Sequence, residues 1–503
     1  VTRAADGGIG GFDRVATVGL LAFAVAALTS NAADADLWGK IRHGRDFLAH
    51  GVLVHEPYSY TAAGGPWLEH EWGAEILFAI LFDRFGAAGL VLFKALLGGA
   101  ALALLLRRGW ATSGSLPATA VVFVPAVLGI FPWFGSRPQI FTHAFVALTL
   151  WTIDRCRAGE RVGVFVWALA MVVWVNVHAG FVAGFGLLGV ATAVESVRAW
   201  RGRVPAPRLL ALALGFGGLA ALASPFGPDY VLRVLPTTVM TRPDIYEWRA
   251  FGGWAVVKFP TLVALPLLAA VAVAALVASD ERRDPVEVAI LGVTAVLAFR
   301  HVRHTPFFLL ACVWALPRHL ASAAAFLRPG RRAAFATALV AGVLAGFRVP
   351  AAAGAVGHLA VRTDVYPVAA VRFMLREGAT GNVAVDFDWG SYLLGTCWPR
   401  CRPSIDGRYE AAYPPAVYAM NRALETGAPG WERLLTEYPT EVVLLYARDP
   451  GARLVAGRRE WTLVYRDPLA VVFVRNDLVR FAALVARRRG RPATETVAEA
   501  VFP

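Results

Sequence analysis

Two carboxylates stand one residue apart where the first long apolar run ends, in Asp34-Ala35-Asp36-Leu37-Trp38. A carboxylate held at such a place can take a proton from a hydroxyl, and two together can bind a divalent cation. A capping or solvated carboxylate is the plain alternative for either alone. The same polar loop continues through Lys40, Arg42, His43, Arg45 and His55-Glu56-Pro57 to Glu69-His70-Glu71-Trp72. Further groups recur later in the chain: Ser136-Arg137-Pro138-Gln139 with His143, then Asn176 and His178. Tyr246-Glu247-Trp248-Arg249 and Arg300-His301-Val302-Arg303-His304 follow. Two guanidiniums and two imidazoles in five residues suit a phosphate. Each group taken singly could be a snorkelling or pairing side chain.

The elements that carry these residues are apolar. The chain has 503 residues, 57% hydrophobic and 17% charged. Soluble domains carry about 25% charged residues. Apolar runs at 15–33, 87–106, 115–133, 138–154, 162–178, 180–197, 208–224, 257–278, 285–299, 305–317 and 333–348 predict about eleven membrane spans. The stretch 72–84 carries Glu75 and is too short to cross, so it reads as an interfacial or re-entrant helix. With that count and a cytoplasmic N-terminus, the short Arg-rich loops gather on one side, as the positive-inside rule requires. The candidate residues then gather on the other side. The net charge of +13 is explained by those loops, and nucleic-acid binding is not expected. Asn31-Ala-Ala33 is a weak cleavage match, so the first run reads as a retained span.

After residue 350 the apolar runs shorten to strand length at 382–386, 441–446, 461–465 and 469–474. Helical patterns lie between them at 366–377, 414–424 and 475–488. That alternation predicts an α/β domain over 350–503, outside the cytoplasm, following a membrane domain over 1–349 whose first outer loop is 33–72. Cys397 and Cys401 are either a short disulfide in an oxidising space or two free thiols. Asp386-Phe387-Asp388-Trp389-Gly390 and Ser404-Ile405-Asp406-Gly407-Arg408 follow strands, where α/β folds place binding residues.

One chemistry uses these groups together. Transfer of a sugar from a lipid phosphate needs a carboxylate to accept the acceptor's proton. It also needs cations to stabilise the departing phosphate. Attack opposite the leaving group inverts the anomeric centre.

The arrangement resembles the GT-C superfamily of integral-membrane glycosyltransferases, which includes protein mannosyltransferases using dolichyl-phosphate-mannose and other lipid-linked sugar transferases. The likeness is carried by ADLWGKIRHG, EPYSYT, PWLEHEW, SRPQIFT, WVNVHAGF, SPFG, FRHVRHTPFF, DFDWGSYLL and IDGRYEAAY, and it covers most of the chain. It is nearest to a group of bacterial GT-C-like proteins. The resemblance implies a polytopic α-helical fold in a bacterial plasma membrane with an extracytoplasmic C-terminal domain. The donor it implies is a polyprenyl-phosphate sugar, and the acceptor a glycan, lipid or protein. His55 departs from the acidic residue expected before the Pro-aromatic-Ser stretch, a place that Glu56 can take.

The expected roles are then as follows. Asp36 is the base, with Asp34 as its orienting partner. Arg137, Arg300 and Arg303 hold the donor phosphate, helped by His301 or His304. His70, Glu71, Trp72, Glu247, Asp406 and Arg408 meet the acceptor. A divalent cation, if one is used, falls to Asp34 and Asp36. Two other readings compete: a transporter or flippase, supported by the many spans and by Lys94 within one, and a non-enzymatic binder of lipid-linked saccharide. No internal repeat or pair of broken segments supports transport.

Overall fold

The computed structural model describes residues 10–237, 240, 242 and 245–502. The chain divides into two compact units. One comprises 10–30 and 88–357, and the other 31–87 and 358–502. The first polar loop therefore belongs with the C-terminal residues, whereas chain order alone groups it with the helices around it.

The first unit is helical, and each of the eleven apolar runs holds a helix. Among the described residues six helices are long and apolar enough to cross a membrane: Gly11–Leu28, Trp72–Ser113, Leu116–Trp133, Phe181–Trp200, Pro260–Ala278 and Arg331–Ala355. Val302–Ala315 with Pro317–Ala323, bent by 54°, makes a seventh if the pair is one span. The other four runs fall on Gln139–Arg157, Val162–Val177, Arg208–Ala220 and Pro285–Arg300. Arg208–Ala220 has 13 residues, a length of about 20 Å. Gly11–Leu28 lies along Arg331–Ala355, and Gly19 meets the Ala341 backbone closely enough that a larger residue would push the two apart.

Trp72–Ser113 is not one straight rod. Gly86 has φ 60° and ψ −151°, a conformation that a residue with a Cβ avoids. The break separates 72–85 from the apolar run that starts at 87, and the boundary between the units falls beside it.

The second unit is built on a five-stranded sheet. Its strands, numbered with two short outlying ones, are β1 (Ala360–Val361), β2 (Gly381–Val385), β3 (Cys401–Pro403), β4 (Val442–Tyr446), β5 (Trp461–Arg466), β6 (Ala470–Arg475) and β7 (Ala500–Val501). The order is β3-β2-β4-β6-β5, and β1 pairs with β7 separately. β3, β2 and β4 run parallel, while β6 is antiparallel to both β4 and β5. Alternation explains the two buried faces. Val383, Val385, Val442, Leu444, Val472 and Val474 face one core. Ala384, Val443, Leu445, Val471 and Phe473 face the other. The helices Val368–Glu377 and Pro415–Thr426 each end on a left-handed glycine, Gly378 and Gly427. Cys397 and Cys401 form a disulfide, which settles the pair left open by the sequence.

The first loop folds onto this sheet domain. Ala33 N–H donates to Ala360 C=O at 2.9 Å, and Ala360 N–H donates to Asn31 C=O at 2.8 Å. Trp38 packs against Tyr366, Tyr392 and Phe502 at centroid distances of 4.7, 5.0 and 5.0 Å. Phe47, Tyr58 and Trp67 join Leu394, Ile405, Tyr413 and Val417 in a shared core. Each large ring buried this way contributes roughly 1.5–3 kcal/mol. The helix Leu37–His50 approaches 72–85 so closely that a Cβ on Gly44 would overlap the Glu75 carbonyl.

Candidate active site

Asp36 opens the helix Leu37–His50. Its own N–H donates to Asp34 Oδ1 at 3.1 Å, so Asp34 fixes the turn that presents Asp36. Both aspartates are half-buried. The carboxylate of Asp36 lies directly against Gly407, where a Cβ would overlap Oδ1. Gly407 N–H in turn donates to Ser391 Oγ at 3.2 Å. Gly407→Ala is therefore expected to displace Asp36 while leaving the sheet intact. A turnover assay should show a loss of at least tenfold, with an unchanged unfolding temperature. Full turnover in that variant would mean that the position of Asp36 is immaterial.

Four residues on, Lys40 points into a buried group of acids. Its Nζ is 2.6 Å from Glu71, 3.0 Å from Glu75 and 3.9 Å from Glu69. Burial works against its charge, yet Glu69, Glu71 and Glu75 together hold the ammonium well above its ordinary range. One further turn along, His43 Nδ1 lies 3.1 Å from Glu75 Oε1. Burial, with Arg408 and Lys40 nearby, pushes His43 down to about 3, so its ring is neutral at pH 7. Burial, then Glu75, pushes Glu69 up.

Beside them lies a second buried charge group. Arg408 pairs with Glu56, and with Asp406 at 2.6 Å. Tyr413 O–H donates to Asp406 at 2.8 Å, and the guanidinium sits 4.7 Å from the Trp67 ring. Arg408 is 6% exposed and Asp406 is fully buried. These two were expected to meet an acceptor. In the structure they are ion-pair partners of each other, with Glu56 on the same guanidinium. Glu56 accepts from the N–H groups of Tyr58 and Ser59, both at 2.6 Å, and so shapes the loop. His70 and Glu71 remain at the edge of this region, with His70 Nε2 3.7 Å from Glu71 Oε1. Trp72 is half-buried and packs against the first-loop core.

The helical unit holds a cationic cluster. Val302 N–H donates to Arg249 C=O at 3.1 Å, and Phe251 N–H to Phe299 C=O at 2.9 Å. These bonds join the loop around Trp248 to 300–304. His301 Nδ1 meets Trp248 C=O at 2.5 Å. The guanidiniums of Arg303 and Arg242 both stand 4.4 Å from the Trp248 ring. His304 is 5.7 Å from His301, ring to ring, and stacks on Phe307. Arg137 is paired with Glu247 at 2.9 Å. Arg300 ends its helix exposed and makes none of these contacts.

The sequence assigns no individual role to Lys40, His43, Glu69, Glu75 and Tyr413, nor to Arg242 and Trp248 in the other unit. One signal was available. Asp36, Lys40 and His43 are spaced i, i+4, i+7, which puts them on one helix face. The remaining partners come from segments too distant for any local pattern.

Apolar helices followed by a C-terminal α/β unit are the fold that the GT-C resemblance implies. Solved structures bear this out. The chain superposes on the oligosaccharyltransferase of Archaeoglobus fulgidus with a TM-score of 0.56, at 11% identity, over 93% of this chain and 75% of that one. The same organism's AglB, in complex with an inhibitory peptide and a dolichol-phosphate, gives 0.53 at 13% identity, over 87% and 70%. ArnT from Cupriavidus metallidurans, bound to undecaprenyl phosphate, gives 0.53 at 14% identity, over 96% of this chain and 99% of that one. No family model matches the sequence, and no curated protein matches it.

Proposed function

We propose that the protein is a membrane glycosyltransferase that moves a sugar from a polyprenyl-phosphate carrier to an acceptor hydroxyl with inversion. Asp36 takes the proton of the acceptor hydroxyl. The acceptor oxygen bonds to the anomeric carbon as the bond from that carbon to the phosphate oxygen breaks. The polyprenyl phosphate leaves with the electron pair, stabilised by guanidinium charge. Asp34 orients Asp36. Arg303 and Arg137 in the helical unit bind the phosphate, with His301 and His304 beside them. Trp248 is the platform on which Arg303 is held.

The observation that carries this reading is the placement of Asp36. It stands in the loop that follows the first apolar helix, which ends at Leu28, is oriented by Asp34 and is backed by a glycine. The likeness to a transferase solved with undecaprenyl phosphate, over nearly all of both chains, supports the class of donor. The Arg-rich short loops support a plasma-membrane location with the α/β unit outside the cytoplasm. Lys94 spoke for transport, but it donates to Ser30 Oγ at 2.9 Å and to Phe134 C=O at 3.0 Å, as a packing residue does.

The test is release of polyprenyl phosphate by the purified protein. It is given a panel of polyprenyl-phosphate sugars, with envelope extract as acceptor. Release by the wild type from one donor fits the reading. Tight binding of lipid phosphate without release from any donor would move the assignment to transport or binding. In the same assay Arg303→Ala should weaken donor binding by roughly 10-fold or more, the worth of a charged hydrogen bond. Unchanged donor affinity would remove Arg303 from the phosphate site.

A further inference from the structure

The buried acids around Lys40 do not balance. Glu69 and Glu75 bring two negative charges, and Lys40 brings one positive charge that Glu71 also shares. Glu69 and Glu75 are fully buried, and His43 is 1% exposed. The neighbouring group does not supply the difference, because Arg408 already faces two carboxylates, Glu56 and Asp406. Uncompensated buried charge costs several kcal/mol per ion, so such a site gathers a counter-charge.

The geometry offers a place for one. His43, Glu69 and Glu75 each present a ligand atom, all within 4.8 Å of one another. Ligand atoms around one tetrahedral ion stand about 3.4 Å apart at bond lengths near 2.1 Å, so small side-chain rotations close the set. A second observation points the same way. Glu69 Oε2, Glu75 Oε2 and His43 Nε2 are buried without a hydrogen-bond partner among the described residues. Native proteins rarely leave such buried atoms unpaired.

We propose that His43, Glu69 and Glu75 bind a divalent cation, of the zinc type, that neutralises this buried cluster and pins the helix Leu37–His50 to 72–85. One imidazole with two carboxylates suits zinc, whereas magnesium and calcium favour oxygen-only shells. Lys40 stays paired with Glu71 and with Glu75 Oε1, which leaves Glu75 Oε2 for the ion. The ion's role is positional: it fixes the helix whose first residue follows Asp36. The site is distinct from Asp34 and Asp36, and the inference stands whether or not the chain transfers sugar.

The test uses the full chain in detergent, stripped with a chelator and titrated with zinc against a chromophoric competitor. One zinc per chain should bind. His43→Ala and Glu75→Gln should each weaken it by at least about 100-fold, and Asp34→Asn with Asp36→Asn should leave it unchanged. X-ray absorption on the zinc-loaded wild type should show a shell of nitrogen and oxygen with imidazole scattering, a readout that needs no variant to fold. No stoichiometric zinc in the wild type overturns the proposal and leaves protons as the counter-charge. Sulfur in the shell, or zinc lost with Asp34 and Asp36 alone, overturns it as well.

Discussion

Asp36→Asn should abolish polyprenyl-phosphate release, by about 10²- to 10⁴-fold, the range that a positioned general base contributes. Donor binding should change by less than about threefold. The argument rests on what the substitution leaves alone. Asparagine keeps the size of the side chain, so contact with Gly407 persists. The bond from the residue-36 N–H to Asp34 is made by the backbone and persists too. Only the capacity to accept a proton is lost. Asp34→Asn should cost less, because Asp34 acts through the turn it closes. Equal losses for the two would exchange their roles. Unimpaired release by Asp36→Asn would mean that another group takes the proton, and the reading of the first loop would fail.

Arg408→Met should destabilise the α/β unit by about 3–5 kcal/mol, the cost of leaving buried carboxylates without their cation. Glu56 and Asp406 both lose their charge partner, while methionine keeps much of the packing against Trp67 and Tyr58. Thermal unfolding and protease resistance of the full chain would report it. Replacing Glu56 and Asp406 with leucine in the same chain should recover much of the loss, since a well-packed apolar group can match a buried ion cluster. No recovery would mean that the methionine disturbs packing rather than charge.

Asp406 adds a pH dependence of known sign. Burial works to raise its carboxyl, but Arg408 holds it down at about 2 against an ordinary 3.8. A depressed folded value stabilises the fold above the unfolded value, and the contribution is lost as pH falls from about 4 to about 2. It amounts to about 2 kcal/mol. Wild-type stability should fall across that window, and the Arg408→Met chain should show a flatter profile there.

Much of the architecture is legible from local pattern. The eleven apolar runs each hold a helix, because length and hydropathy are properties of contiguous residues. The strands at 381–385, 442–446, 461–466 and 470–475 lie within a residue or so of where the short apolar runs predict them. The helix expected at 475–488 is regular only over Ala482–Arg488; Asn476 and Asp477 instead serve turn and side-chain bonds. That is the behaviour of short polar side chains that compete with the backbone.

By itself the sequence determined the helical and strand segments and the carboxylate pair after the first apolar helix, since each is set by neighbours within a few turns. Only the tertiary structure decided what the first loop packs on. Glu56 meets Arg408 across 352 positions, and Ala33 bonds to Ala360. It also decided that Arg408 and Asp406 are buried partners, that Glu247 belongs to Arg137 and that Trp248 gathers two guanidiniums. Such pairings are fixed by the summed packing of whole surfaces and by the cost of leaving any buried charge unmatched. Neither quantity is written in the spacing of residues along the chain.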